Sequence, residues 1–135
     1  MLRDLVKAAR AAAAHADVLV IEGVGGLLVP LNPEHDVRDL AVALGLPLVV
    51  AARTGLGTIN HSLLTLEAAR AAGLDVRAVV LTPWPAQPSV MQQSNRTTIA
   101  RRGAVPVHVL APVIPAVDEL AAAGATLPIG DWLGP

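Results

Sequence analysis

The sequence predicts a single α/β domain in which helices cover both faces of a mostly parallel sheet, making three layers. Short runs of branched aliphatic residues without polar alternation are typical of strands that are buried on both faces. Segments with helical periodicity separate these runs along residues 1–135. This alternation favours right-handed crossover connections and a parallel sheet.

Composition limits the classes of function. The 135 residues, 53% of them hydrophobic, fit one domain, and its core must be aliphatic because the chain has two Trp and neither Phe nor Tyr. A formal net charge of -1 with scattered cationic residues disfavours nucleic acid and anionic membranes as partners. The lack of cysteine excludes disulfides and zinc-thiolate sites and agrees with a cytoplasmic protein.

No segment has the composition of a membrane span. The longest apolar stretch, residues 40–52, contains Pro47 and falls below the ~20 residues that a transmembrane helix needs. Residues 1–16 carry Asp4 and lack a cationic signal segment with a cleavage site. We therefore expect a soluble protein with no membrane partner.

The first part of the chain predicts a helix, a strand and a loop. Residues 2–14 are rich in Ala, the best helix former, and the helix should end near His15. Residues 18–21 form an apolar run that predicts a strand buried on both faces. Glu22 ends this strand, and the glycines at 23, 25 and 26 predict a flexible loop.

Two further helices have recognisable ends. Asp36 and Asp39 have the spacing of a capping box, and Gly45 is expected to end the helix that they open. After Gly57, one helical face is expected to be apolar, and Gly73 ends that helix. The apolar positions of this face are Ile59, Leu63, Leu66 and Ala69.

The same patterns assign the rest of the chain. Strands are predicted at residues 48–52, 76–81 and 105–110, helices at residues 92–101 and 118–123, and a Pro-rich loop at residues 84–88. Residues 126–135 are rich in Pro and Gly and are expected to fray.

Three segments follow the carboxyl ends of predicted strands, namely residues 22–26, 54–60 and 82–84. In open parallel sheets, ligands bind in the crevice beyond these ends, because loops converge there and helix N-termini point inward. The three segments are therefore the candidate site.

Glu22 permits two interpretations. A carboxylate directly after a buried strand could hold Mg²⁺ on nucleotide phosphates, with the glycines behind it letting the backbone approach phosphate closely. It could equally be a solvated acid at a strand end, and acids are common there.

Residues 57–60 also permit two interpretations, because they open the most clearly periodic helix. Free N–H groups and the positive end of the helix dipole could bind a phosphate or a carboxylate. Ordinary capping by Thr58 or Asn60 would use the same donors.

Other polar and aromatic residues give weaker signals. Trp84, which lies between two prolines, could cover a base, but plugging the sheet edge is favoured. Residues 95–102 contain three arginines, for which a solvated helical face is favoured over an anion site. The four histidines show no ligand spacing, so no zinc site is predicted.

A phosphate-binding loop of the Walker type needs Gly-Lys-Ser/Thr. The one lysine of the chain is Lys7, which is followed by Ala8 inside a predicted helix. Residues 1–135 therefore cannot form that loop.

Two segments carry a resemblance to a known family. Residues 20–30, V-I-E-G-V-G-G-L-L-V-P, closely resemble the E-G-A-G-G segment of dethiobiotin synthetases. Residues 52–61, A-R-T-G-L-G-T-I-N-H, with residues 63–67 after them, are similar to that family's signature for the strand and helix at its dimer interface. The likeness continues more weakly through residues 84–85 and 94–96.

The resemblance implies a fold and a reaction. The family fold is a P-loop α/β domain, usually a homodimer. The enzyme uses ATP, Mg²⁺ and CO2 to close the ureido ring of dethiobiotin on 7,8-diaminopelargonic acid in biotin biosynthesis. A substrate amine captures CO2 as a carbamate, the γ-phosphoryl group of ATP activates it, and the second amine closes the ring.

The resemblance also implies roles for individual residues. Glu22 would be a Mg²⁺ ligand. The residues carried over as nucleotide contacts are Glu22, Gly23, Val24, Gly25, Thr82, Pro83, Pro112, Val113 and Ile114. The residues carried over as contacts to the substrate carboxylate, reaching it from the neighbouring subunit, are Gly57, Thr58 and Asn60.

The chain departs from the family in two respects. Many relatives have an Asn at the base-contacting position, whereas Thr82 offers a hydroxyl, so the nucleotide preference is open. The Walker loop, the substrate-activating lysine and an early metal-binding acid all precede the matching region. We expect an incomplete dethiobiotin synthetase-like domain that needs a partner, a missing N-terminal half or a second copy, and is inactive alone. The alternative is a non-catalytic dimerisation or regulatory module derived from the P-loop family.

Overall fold

The computed structural model describes residues 1–133 and has helices and strands in the alternation that the sequence predicts from residue 36 onward. The helices are α1 (Leu2–Ala13), α2 (Val37–Leu44), α3 (Thr58–Ala71), α4 (Val90–Gly103), α5 (Val117–Gly124) and α6 (Ile129–Trp132). The strands are β1 (Leu48–Ala52), β2 (Val76–Leu81) and β3 (Val107–Val109). The predicted α/β class is confirmed.

The three strands form one parallel sheet in the order β1-β2-β3. Val50 pairs with Val79, and Val79 pairs with Val107. Parallel neighbours in chain order need crossover helices, which α3 and α4 supply; these two helices pack against each other on one face of the sheet.

The main core lies between the sheet and these two helices. Its fully buried aliphatic residues come from α3, β2 and α4, namely Leu66, Val79, Leu81 and Ile99. The expectation of an aliphatic core is confirmed, because branched aliphatic side chains fill the space between the layers.

The opposite face of the sheet carries α6. His108 alternates with Val107 and Val109 and therefore points away from the main core. The ring of Trp132 meets the His108 ring at a centroid distance of 5.5 Å in an edge-to-face arrangement. Helices thus lie on both faces of the sheet.

The predicted strand at residues 18–21 is wrong. The structure assigns no strand there, and Val20 is 86% exposed. A strand buried on both faces needs a hydrogen-bonding neighbour and a covering layer on each side. Within residues 1–133 no strand pairs with this segment, so Val18, Val20 and Ile21 stay exposed and Leu19 is only partly buried.

Local signals set the helix ends. Asp39 N donates to Asp36 Oδ1 at 3.0 Å and Asp36 N donates to Asp39 Oδ2 at 2.9 Å, which confirms the predicted capping box. A second capping box joins Ser89 and Gln92 and starts α4 two residues earlier than predicted. The Ser-x-x-Gln spacing at residues 89–92 is the sequence signal for this earlier start.

The C-terminal segment is more ordered than expected. Residues 126–135 were expected to fray, yet Ile129–Trp132 forms α6, and the last two positions of that range lie outside the described residues. None of the helices within residues 1–133 has the length and apolar character that a bilayer span requires.

Candidate functional site

Backbone hydrogen bonds join the loops that follow the three strands. Thr82 N donates to Ala52 O at 2.9 Å, which ties the end of β2 to the end of β1. Trp84 N donates to Leu110 O at 2.7 Å, which ties the next loop to the residue after β3. The carboxyl edge of the sheet is therefore one continuous surface, as expected for a ligand site in an open parallel sheet.

The N-terminus of α3 lies at this edge. Gly57 has φ +89° and precedes the helix in the left-handed conformation that glycine tolerates best. Thr58 N donates to Gly55 O at 3.2 Å and His61 N donates to Gly57 O at 3.0 Å. In the described structure, the N–H groups of residues 59 and 60 donate to no backbone carbonyl outside the helix.

No side chain within residues 1–133 caps α3, so the capping interpretation of residues 57–60 is wrong. Thr58 is buried, and its Oγ1 has no hydrogen-bond partner in the described structure, while Asn60 is exposed. The first turn thus presents free N–H groups and the positive end of the helix dipole, an arrangement suited to an anion.

The glycine segment, residues 22–26, is held by α2. A Cβ on Gly23 would lie 2.5 Å from Val37 Cγ1, so only glycine fits against this helix. Gly25 and Gly26 have φ +90° and +125°, values that favour glycine. Glu22 is exposed, in contrast to its predicted place at the end of a buried strand.

The residue after the glycine segment connects it to the far end of α3. Leu27 is buried against Ala69 and Leu74, and its carbonyl accepts a hydrogen bond from Arg38 N at 2.8 Å. Ala69 lies roughly 16 Å along the helix from Thr58 at 1.5 Å per residue. Within residues 1–133, no hydrogen bond joins residues 22–26 to residues 54–60. Hydrogen bonds thus join Ala52 to Thr82 and Trp84 to Leu110, residues 54–60 follow directly from β1, and in the described part of the chain the glycine segment is bonded to none of these residues.

The remaining predicted nucleotide contacts lie beside the same edge. Thr82 is partly buried, and the Thr82-Pro83 peptide bond is cis. Residues 112–114 follow β3, where Pro112 and Ile114 are exposed and Val113 is partly buried. Both segments thus follow carboxyl ends of adjacent strands.

Glu22 fits a magnesium site of the kind that uses few protein ligands. Among residues 1–133 no group of three or more His, Cys, Asp or Glu side chains is placed to hold a metal ion. Mg²⁺ on a nucleotide commonly takes one or two carboxylates and fills its other positions with water and phosphate oxygens. An exposed Glu22 carboxylate meets that requirement as a single ligand.

Three buried polar residues, Thr58 and Ser62 on α3 and Asn95 on α4, were not predicted from the sequence. The buried face of α3 is formed by Thr58, Ser62, Leu66 and Ala69, while the predicted Ile59 and Leu63 are only partly buried. Asn95, expected on a solvated face of α4, is buried and donates to Thr54 O at 3.2 Å. The i, i+4 spacing of Thr58, Ser62 and Leu66 was the available signal.

Trp84 plugs the sheet edge, as favoured. It is partly buried against the main core and also borders an open groove of about 730 Å³. Arg96 and Arg101 line the same groove from exposed positions on α4, and Arg96 Nε donates to Val107 O at 3.4 Å. These arginines lie on a solvated face, as the sequence favours.

Comparison with known proteins bears out the resemblance. A family model described as an AAA domain matches residues 2–123. Relatives named ATP-dependent dethiobiotin synthetase are 48% identical over 100 residues in Anaeromyxobacter dehalogenans and 40% identical over 112 residues in Rhodococcus erythropolis. A biotin biosynthesis bifunctional protein of Bordetella avium is 46% identical over 103 residues.

These alignments differ in how much of each protein they cover. They include 74%, 82% and 76% of this chain, but 45%, 49% and 21% of the three relatives. The chain thus spans about half the length of the two dethiobiotin synthetases that it matches.

Proposed function

The chain belongs to the AAA domain family. We propose that it forms the part of a dethiobiotin synthetase-type ligase that binds the nucleotide and the carboxylate tail of the substrate. Such an enzyme closes the ureido ring on 7,8-diaminopelargonic acid with ATP and CO2. The observation that carries the proposal is the N-terminus of α3, which has no side-chain cap within residues 1–133 and directly follows β1 at the carboxyl edge.

The first part of the proposal concerns the acidic tail of the substrate. Gly57, Thr58 and Asn60 bind the carboxylate of diaminopelargonic acid, because free N–H groups and a positive helix end favour an anion. In a homodimer these residues act on substrate held mainly by the other subunit. Support for a second copy on this surface comes from Leu56 and Leu64, which are 91% and 55% exposed.

The second part concerns the nucleotide. Glu22 holds Mg²⁺, and the backbone of Gly23, Val24 and Gly25 lies beside the phosphates. Thr82 and Pro83 contact the base, with the Thr82 hydroxyl able to donate or accept one hydrogen bond. Pro112, Val113 and Ile114 line the nucleotide from the loop after β3.

These residues act in the reaction mainly by positioning. A substrate amine captures CO2 as a carbamate, the γ-phosphoryl group of ATP forms a mixed anhydride with it, and the second amine displaces phosphate as the ring closes. When bound, Mg²⁺ neutralises charge on the phosphates. Holding the carboxylate tail and the nucleotide in fixed geometry lowers the entropic part of the barrier.

Residues 1–135 do not supply every group that this reaction needs. The one lysine, Lys7, lies in α1 and not in a phosphate-binding loop. We therefore expect residues 1–135 alone to be inactive, since the phosphate-binding loop must come from outside these residues, and we expect the enzyme to act in the cytoplasm where ATP is available. Labelled CO2 incorporation by the purified chain measures this, and ATP-dependent turnover above background contradicts it.

Substrate binding tests the proposal directly. Calorimetric titration of diaminopelargonic acid into the chain should show binding, and Asn60→Ala should weaken it by about tenfold through loss of a charge-assisted contact. Gln93→Ala is the matched control, because Gln93 is an exposed residue on α4 whose side-chain amide donates to Pro88 O. No binding by the unchanged chain, together with dimers in light scattering, would instead favour the non-catalytic dimerisation module.

A further inference from the structure

Asn95 connects α4 to the loop that opens α3. Its side chain is 7% exposed, and Nδ2 donates to Thr54 O at 3.2 Å and lies 3.5 Å from Gly55 O. Both acceptors are backbone carbonyls about forty positions earlier in the chain. A buried amide that bonds to backbone at this separation fixes a loop conformation, since leaving those carbonyls unpaired is costly.

Gln92 holds the same loop from one turn earlier on α4. Its Oε1 accepts from Ser89 N at 2.9 Å within the capping box, and its Nε2 donates to Thr54 Oγ1 at 3.4 Å. Gln92 and Asn95 are three residues apart and so project from one face of the helix. The two amides contact both the hydroxyl and the carbonyl of Thr54.

Thr54 is buried, but packing does little to restrain the rest of this loop, since Leu56 is 91% exposed. A Cβ on Gly55 would have no neighbour within 4 Å, and Gly57 contributes no side chain. Glycines leave the backbone with wide conformational freedom, so the hydrogen bonds from α4 restrict the loop together with the burial of Thr54. Gly55 O also accepts from Thr58 N at 3.2 Å, which couples the loop to the first turn of α3.

We propose that Asn95 is a positioning residue: it fixes residues 54–57 so that the first-turn N–H groups of α3 are aimed at the acidic tail of the ligand. The identity of that ligand, an amino-carboxylate, rests on the proposed function. Asn95 itself does not touch it and acts through Thr54 and Gly55.

Amide hydrogen exchange tests the positioning role without any ligand. Asn95→Ala should accelerate exchange at the Thr58 and His61 amides by about tenfold, because a buried carbonyl loses its donor. The Leu74 amide, which donates to Ala69 O at the other end of α3, should keep its rate. Unchanged rates at Thr58 and His61, or equal acceleration at Leu74, would overturn the inference. Asn95→Ser is the milder second variant, since its hydroxyl can bond to its own helix.

A binding measurement connects loop order to ligand affinity. Asn95→Ala should weaken diaminopelargonic acid binding by about tenfold, while Gln93→Ala should bind as the unchanged chain does. Faster loop exchange with unchanged affinity would overturn the positioning role. Failure of the unchanged chain to bind would refute the proposed function, and the exchange rates would still decide whether Asn95 holds the loop.

Discussion

Residues 1–47 and residues 48–110 contain similar amounts of apolar sequence but bury it very differently. The first region has two helices and an apolar run, yet Leu27 is its one buried residue. The second region holds all three described strands and the main core. Apolar residues become buried only where neighbouring elements cover them, so an apolar pattern alone does not establish a core.

The two regions also differ in how they hold their candidate ligand segments. The α3 N-terminus follows directly from β1 and is held by Asn95, which donates to Thr54 O. The glycine segment depends on contact with Val37 in α2 and on Leu27. Rigid support suits a site that must position a substrate tail, and the second region provides it.

The largest contrast is expected from removing matched leucines. Leu66→Ala should lower the free energy of unfolding by roughly 2–5 kcal/mol, because Leu66 is 1% exposed and its removal leaves a cavity. Leu28→Ala, at a side chain that is 57% exposed, should change it by less than about 0.5 kcal/mol. Urea denaturation measures both. Equal effects would mean that the first region is also a packed core in solution.

A smaller effect is expected from adding one methyl group inside the core. A Cβ on Gly103 would lie 2.7 Å from Leu66 Cδ1 and 3.3 Å from Val105 Cγ1, so Gly103→Ala should cost about 1–3 kcal/mol by overpacking. Gly124→Ala has open space around its Cβ and should be neutral or slightly stabilising. Thermal denaturation of the two variants compares them, and equal melting temperatures would contradict the packing at Gly103.

The smallest effects are expected from the two capping boxes. Ser89→Ala should reduce global stability by about 1 kcal/mol, because α4 packs into the main core and loses a cap bond. Asp36→Ala removes the equivalent bond from α2, which has no buried residue. Its loss should appear as faster amide exchange within α2 and not as a lower global stability. A global loss from Asp36→Ala matching that from Ser89→Ala would show that the two regions unfold together.

Much of the second region could be predicted. The bounds of β1 and β2 were predicted at residues 48–52 and 76–81, as observed, because each run is apolar except for Arg77 and ends at a turn signal. The carboxyl-edge position of residues 54–60 and 82–84 followed from the parallel topology. Strand β3 is shorter than the predicted residues 105–110, since only Val107–Val109 pairs with β2.

The failures share a cause, which is dependence on distant neighbours. Residues 18–21 have the apolar run of a strand, but β pairing requires a partner that the pattern cannot specify. Asn95 lies in a polar stretch that predicts a solvated helical face, yet its side chain is buried against Thr54, which is 41 positions away. Neither outcome can be predicted from a short stretch of neighbouring residues.

The amino-acid sequence by itself determined helices α1 to α5, the Asp36–Asp39 capping box, the aliphatic nature of the core and the family, because these depend on short-range propensity and on motifs that neighbouring residues carry. Only the tertiary structure decided which apolar and polar residues are buried, and which loops bond together at the sheet edge. Burial and long-range hydrogen bonding depend on which surfaces meet, and that is settled by the packing of whole elements.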